Sequence, residues 1–228
     1  MTAARLVVPS LERILAWVRV SQTGLYRACA FSLPLCLAGS FQCIASDDDW
    51  NAETLMKELS QITHVKLDFA ETRSSAFLFI DLVVEGNMEY RAPDYLLKNT
   101  VEPVTERVLI SGDEMLVEQV LKEGKGEETT LVRRYSVQSH VLLQATVESI
   151  RALLAGNFGM LLENFEMDLS GARDHWQLSL VPRSEAILES VVKITLSGES
   201  TRVNEIVTIH ADGDETILHL TYRLLQSS

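Results

Sequence analysis

Nucleophiles, acid–base groups and metal ligands have to lie at workable spacing before they do chemistry, and this chain offers few such sets. Five histidines are scattered at His64, His140, His175, His210 and His219. Alternation places His210 and His219 on one polar face of a C-terminal hairpin, but no carboxylate–histidine pattern surrounds them as a zinc site requires. Asp47-Asp48-Asp49 and Asp212-Gly213-Asp214 resemble a calcium loop only in composition. They lack its remaining ligands and read as the start of the folded chain and the tip of a turn. Glu71 and Arg73, in the stretch ETRSS, read as an exposed ion pair in a turn, a contact that contributes little. Gly-x-Ser-x-Gly, a phosphate-binding glycine loop and His-Glu-x-x-His do not occur in the sequence. The expectation is no catalytic residue, no metal and no cofactor.

What the chain does carry is apolar periodicity. In AFLFIDLVVEGNMEYRAPDYL, Leu78, Ile80, Leu82, Val84, Met88 and Tyr90 fall on every second position, interrupted only by Gly86. That period specifies a strand with one apolar face. Thirteen residues at about 3.3 Å each exceed the usual strand of five or six, so a bend is expected, with Gly86 as its place.

All three cysteines, Cys29, Cys36 and Cys43, lie near the N-terminus. There Arg27 precedes the uncharged run ACAFSLPLCLAGSF, and small residues precede Ser46-Asp47. A basic flank, a short apolar core and small residues before an acidic start describe a secretory signal peptide. The run is too short for a membrane span. Residues 1–45 are therefore read as a leader and cleaved signal, with an amphipathic stretch upstream that fits an over-extended start site, and residues 46–228 as one exported domain. Neither Cys36, preceded by Leu35, nor Cys43, preceded by Gln42, has the small residue that lipid modification needs before it. Removing residues 1–45 leaves 16 basic and 31 acidic residues, a net charge of −15 against −12 for the full chain. So acidic a surface argues against nucleic acid and anionic lipid surfaces as partners.

The remaining segments read as follows. Residues 49–62 form a capped helix with Leu55, Met56, Leu59 and Ile62 on one face. Strands follow through residue 136, joined by short turns that favour antiparallel neighbours. Between Ser139 and Phe165 the period changes to three and four through Leu143, Val147, Ile150 and Leu154, and Gly156-Asn157 splits the segment into two helices. Strands then return around Met167, Trp176 with Leu178, and Ile194. A two-residue turn at Asp212-Gly213 sets Ile209 opposite Thr216, Val207 opposite Leu218 and Val203 opposite Tyr222, with Val207 and Leu218 on the apolar face. Ten or eleven antiparallel strands with one apolar face must twist and curl, and the helices fit the hollow. The fold class is α+β: an incomplete, half β-barrel covered by lid helices.

With that order of elements, the chain resembles the periplasmic outer-membrane lipoprotein carriers, the LolA-like family. The local likeness lies in Gly86, Met88, Tyr90, Arg91, Pro93, Asp94 and Leu96, in Phe69-Ala70-Glu71 and in Ile110-Ser111-Gly112-Asp113. Where the family commonly places an arginine before the proline and a tryptophan beyond it, this chain has Ala92 and Lys98.

The resemblance implies a monomeric, non-enzymatic periplasmic carrier of a lipoprotein or other acylated lipid cargo. It further implies an inner-membrane exporter and an outer-membrane acceptor as partners. The cavity is then expected from Leu78, Ile80, Leu82, Val84, Met88 and Tyr90, from Leu143, Val147, Ile150 and Leu154, and from Trp176, Leu178, Val207 and Leu218. Arg91 is either a head-group contact at the rim or a solvated strand-end cation. Alternation alone serves equally a non-transporting envelope scaffold with a self-packed core, and a hydrolase or isomerase with scattered residues is a third reading.

Overall fold

The computed structural model describes residues 50–75, 81–122, 128–139 and 141–223. The leader and signal therefore lie outside the described residues, as do Leu78 and Ile80 of the expected stripe. Helix α1 (Ala52–Leu59) begins where the Asn51 side chain accepts a hydrogen bond from the Thr54 N–H at 2.9 Å, satisfying one of the first-turn donors. It buries Leu55, Met56 and Leu59. Six strands follow: β1 (His64–Ser74), β2 (Leu82–Arg91), β3 (Tyr95–Glu102), β4 (Glu106–Ser111), β5 (Glu114–Lys122) and β6 (Glu128–Ser136). A 3-10 turn (Val137–Ser139) leads into α2 (Val141–Leu154) and α3 (Phe158–Asn164). The chain closes with β7 (Phe165–Ala172), β8 (His175–Pro182), α4 (Glu185–Leu188), β9 (Val191–Glu199), β10 (Arg202–His210) and β11 (Glu215–Tyr222).

All eleven strands form one sheet in the order β6-β5-β4-β3-β2-β1-β11-β10-β9-β8-β7, with every pairing antiparallel. Two meanders are thus joined by β1 against β11, and the chain passes from one edge of the sheet, β6, to the other, β7, through α2 and α3. Ten interstrand steps of about 4.8 Å would hold those edges about 48 Å apart in a flat sheet. The 14 residues of α2 and the 7 of α3 rise only about 21 and 10 Å. The sheet therefore curls toward its helices without closing, and the α+β half-barrel expected from the pattern is the observed fold.

Curling is helped by irregularities. The β2–β3 register shifts between Glu85 and Gly86. A Cβ at Gly86 would lie 1.9 Å from the Asn99 carbonyl oxygen and 2.9 Å from the Phe69 ring, so the strands approach closely only because no side chain is there. At the helical break, Gly156 has φ +61°, and a Cβ there would meet the Met56 carbonyl oxygen at 2.1 Å. Asn157 then caps α3 by accepting from the Met160 N–H at 3.2 Å.

The last hairpin departs from its expected register. Its connection is the three residues 211–213, closed by His210 N–H to the Asp214 carbonyl at 2.9 Å. The pairs are Val207 with Ile217, Ile206 with Leu218 and Thr208 with Thr216. One strand is therefore shifted by one residue, which exchanges its faces. Val207 lies on the outer face, opposite to Leu218, while Thr208 and His210 are buried on the inner one. A bulge at Asn204, between the Val203 and Glu205 pairings with β9, returns Val203 to the inner side, so it packs with Ile206 against the same cluster. One extra residue in the turn and one in the strand were invisible to a two-residue-turn reading.

The expected stability consequence falls on Gly86. Gly86→Ala forces a displaced β2–β3 pairing and is expected to destabilise the fold by about 1–3 kcal/mol, measured as a lower urea midpoint at unchanged slope. An unaltered midpoint would refute the close approach.

Candidate functional site

Register assigns each strand residue a face. The inner, helix-bearing face takes Leu67, Phe69, Glu71 and Arg73 from β1, paired across to Met88, Gly86, Val84 and Leu82 on β2 and to Tyr222, Leu220, Leu218 and Thr216 on β11. Beyond β2 it continues through Leu96 and Lys98 of β3 to Ile110 and Val108 of β4. In the other direction it runs through Ile206 and Leu196 to Leu178.

Burial on that face is uneven. One flank is sealed: Leu55, Met56 and Leu59 of α1 and Leu161 of α3 pack with Phe165, Trp176, Leu178, Leu180 and Leu196. The opposite flank is sealed by Leu143 and Val147 of α2 against Ile110, Met115 and Val117, with Val137 beside them. Ala152, near the other end of α2, belongs to the first flank, so α2 bridges both. Between them lies a smaller cluster, Phe69, Val84 and Leu218, with Met88, Ile206 and Leu220 packed against it and only partly buried. The main helix-to-sheet contacts fall on β7, β8 and β9. Among the described residues, the middle of the inner face is apolar, with Phe69, Val84 and Leu218 buried and Met88, Ile206 and Leu220 only partly so.

The expected lining residues separate accordingly. Val84, Met88, Tyr90 and Leu218 are on the central part of the inner face, although the Tyr90 hydroxyl is buried without a hydrogen-bond partner and burial raises its pKa, with Asp94 adding to the rise. Leu143, Val147, Trp176 and Leu178 are sealed in the flanks. Ile150 and Leu154 are half-buried on α2. Leu82 has the inward parity but is 37 % exposed at the strand end, and Val207 faces outward. Leu67, Phe69, Ile206 and Leu220 join the strip instead. Alternation through Val65, Leu67 and Phe69 marked two of these, and alternation from Leu218 marked Leu220; Ile206 needed the β10–β11 register.

Two charged clusters occupy opposite faces. On the inner face, Glu71 is fully buried, paired with Arg73 and with Lys98 Nζ at 2.6 Å. Lys98 Nζ also stands 4.8 Å from the centre of the Phe69 ring, a favourable cation–π distance. Burial works to raise the Glu71 pKa, but the Lys98 and Arg73 charges outweigh it and hold the carboxyl below the usual range. The exposed-turn reading of this pair is thus corrected: β1 continues to Ser74, and its alternation carries Glu71 and Arg73 inward. Arg91 lies on the outer face, 53 % exposed and 2.8 Å from Glu89, with its guanidinium 4.6 Å from the Tyr95 ring centre, because its odd position on β2 points away from Met88 and Tyr90.

A polar hub fixes the crossing segment. In the β4–β5 turn, the Gly112 N–H donates to Asp94 at 3.1 Å and its carbonyl accepts from Arg151 of α2. The Asp113 carboxylate accepts from Ser136 at 2.7 Å and from the Gln138 N–H at 3.0 Å. Beside this turn, Ser111, Asp113, Glu114, Arg134, Tyr135 and Ser136 line a shallow cleft of about 430 Å³, away from the apolar strip. Among the described residues, no group of three or more His, Cys, Asp or Glu is placed to hold a metal ion.

Two outcomes test this geometry. Glu89 is held at a pKa of about 2, below its ordinary 4.5, chiefly by its hydrogen bond from Arg91, with burial opposing and His64 assisting. A depressed folded-state pKa stabilises above the unfolded value and is lost as pH falls through the folded one. The thermal midpoint should therefore drop between about pH 4.5 and pH 2, less steeply in Glu89→Gln; equal slopes would contradict the pairing. Asp113→Ala removes two acceptors and is expected to cost about 1–3 kcal/mol, with faster amide exchange across residues 137–154; unchanged exchange there would show that the hub does not hold the segment.

Comparison with known proteins agrees with this architecture. Residues 44–221 match the family model described as outer membrane lipoprotein carrier protein LolA-like. No curated protein sequence matches the chain. Among solved structures, a LolA superfamily protein from Nitrosomonas europaea has a TM-score of 0.42 at 10 % identity, covering 78 % of this chain and 94 % of that one. LprF from Mycobacterium bovis gives 0.37 at 13 %, covering 78 % and 96 %. The MucA/MucB complex of Pseudomonas aeruginosa gives 0.39 at 8 %, covering 78 % and 59 %.

Proposed function

Because the chain belongs to the family of LolA-like outer membrane lipoprotein carrier proteins, we propose that it is an envelope carrier. It shields the acyl chains of a lipoprotein or another lipid cargo on the inner face of its half-barrel and moves them between inner and outer membrane. The observation that carries this reading is the strip in which Met88, Ile206 and Leu220 stay only partly buried around Phe69, Val84 and Leu218, between two sealed flanks. Each acyl CH₂ removed from water against such a surface gains about 0.8 kcal/mol. No covalent step is involved, and direction comes from unequal affinities of donor, carrier and acceptor.

In this reading residues 1–45 are cleaved after export, residues 46–228 act as a monomeric domain in the periplasm, and an inner-membrane exporter and outer-membrane acceptor supply and receive the cargo. Entry requires α2 and α3 to move relative to the sheet. Gly156 is wedged against α1 and Asp113 holds the Val137–Ser139 turn, so movement of that segment requires one of these two attachments to release.

Native mass spectrometry of the envelope-purified protein is expected to show an acylated adduct. Met88→Asp should remove the adduct with the fold retained, Leu82→Asp at the exposed strand end should leave it, and Leu178→Asp in the sealed flank should prevent folding. A wild-type protein that is always empty, even after incubation with excess acylated peptide, would end the carrier reading.

A further inference from the structure

Charge is distributed unequally between the two faces of the sheet. The chain has 20 basic and 32 acidic residues, yet register places only Arg73, Lys98 and Arg133 against Glu71 and Glu106 on the inner face of the described strands. The inner face is therefore slightly basic inside a strongly acidic protein.

Three of those five groups meet in the apolar strip. Around Glu71, the paired residues on β2 and β11 are Val84 and Leu218; beside Lys98 they are Met88 and Val108. Glu71 carries no accessible surface, whereas the Lys98 and Arg73 side chains keep 16 % and 32 % of theirs. A molecule lying on the strip thus reaches two cations and not the carboxylate that partners them. Glu106, the next acid on this face, is opposite Thr100, a residue further along from Lys98. An apolar surface that presents accessible positive charge favours a ligand with an apolar tail and an anionic group, since a buried charge has to be paired.

We propose that the Lys98–Arg73 pair is an anion subsite within the strip, and that the cargo class is an acidic amphiphile, its head group on the two cations and its chain along Phe69, Met88 and Leu220. This rests on the carrier reading and narrows it. Glu71 holds the cations in place and moderates their charge, so that an incoming anion shares them rather than being trapped.

The test compares a 16-carbon fatty acid with the fatty alcohol of equal length, titrated into the exported chain by calorimetry. Wild-type protein should bind the acid roughly tenfold more tightly than the alcohol. Lys98→Met should abolish that preference while leaving the alcohol affinity within about twofold, and Glu71→Gln, which keeps the volume but removes the competing charge, should increase it. The Glu71→Gln arm moves opposite to any loss of packing, so it decides the matter if Lys98→Met does not fold. Equal binding of acid and alcohol by wild type, or a preference indifferent to both substitutions, overturns the subsite and leaves the carrier intact. Absence of binding by either probe overturns both.

Discussion

The antiparallel pairing of β1 with β11 governs the whole molecule. It joins an N-terminal meander of six strands to a C-terminal meander of five, and so places the two strands flanking the helical segment at opposite edges of one sheet. A connection made of two short helices cannot span that width unless the sheet bends toward it. The curl, the open edges and the position of the helices on one face are all consequences of that pairing. So is the bridging role of α2, whose two ends belong to different clusters.

Coverage follows from the same geometry. Helices anchored at the edges seal what lies near the edges, and the residues farthest from both are the strands at the middle of the order, β2, β1, β11 and β10. Among the described residues the central cluster is the smallest and the largest lies on a flank. The polar hub at Gly112 and Asp113 then matters beyond stability, because it ties the start of the crossing segment to the sheet through backbone and carboxylate bonds that are local and reversible.

The buried Glu71 carboxylate is costly in such a place. Desolvation opposes its charge, and two cations within contact offset that opposition. Hydrophobic replacement of such a cluster is often neutral or stabilising in proteins, so the fold by itself does not require it. The contrast with Glu89, ringed by His64, Lys66 and Arg91 on the outer face, marks the difference: that cluster meets water, whereas the inner one sits among Val84, Leu218 and Met88.

Periodicity in the sequence determined the element types, their order and the break at Gly156-Asn157, because helix and strand impose 3.6- and 2-residue repeats on any amphipathic segment. It also determined that one face of most strands is apolar and, through the family likeness, the half-barrel. Which face each residue takes was legible only where the register was unambiguous. Val207 and Leu218 parted because a turn one residue longer than expected shifts one strand by one residue. Glu71 and Arg73 read as a turn because their types are polar, although they continue the parity of Val65, Leu67 and Phe69. Lys98, distant in sequence, comes to Glu71 only by the stacking of β3 on β2 on β1. Whether an apolar residue ends as sealed core or as accessible surface, as Leu178 and Met88 do, was decided by tertiary structure alone, since it depends on where the helices run out, and no strand's own sequence contains that information.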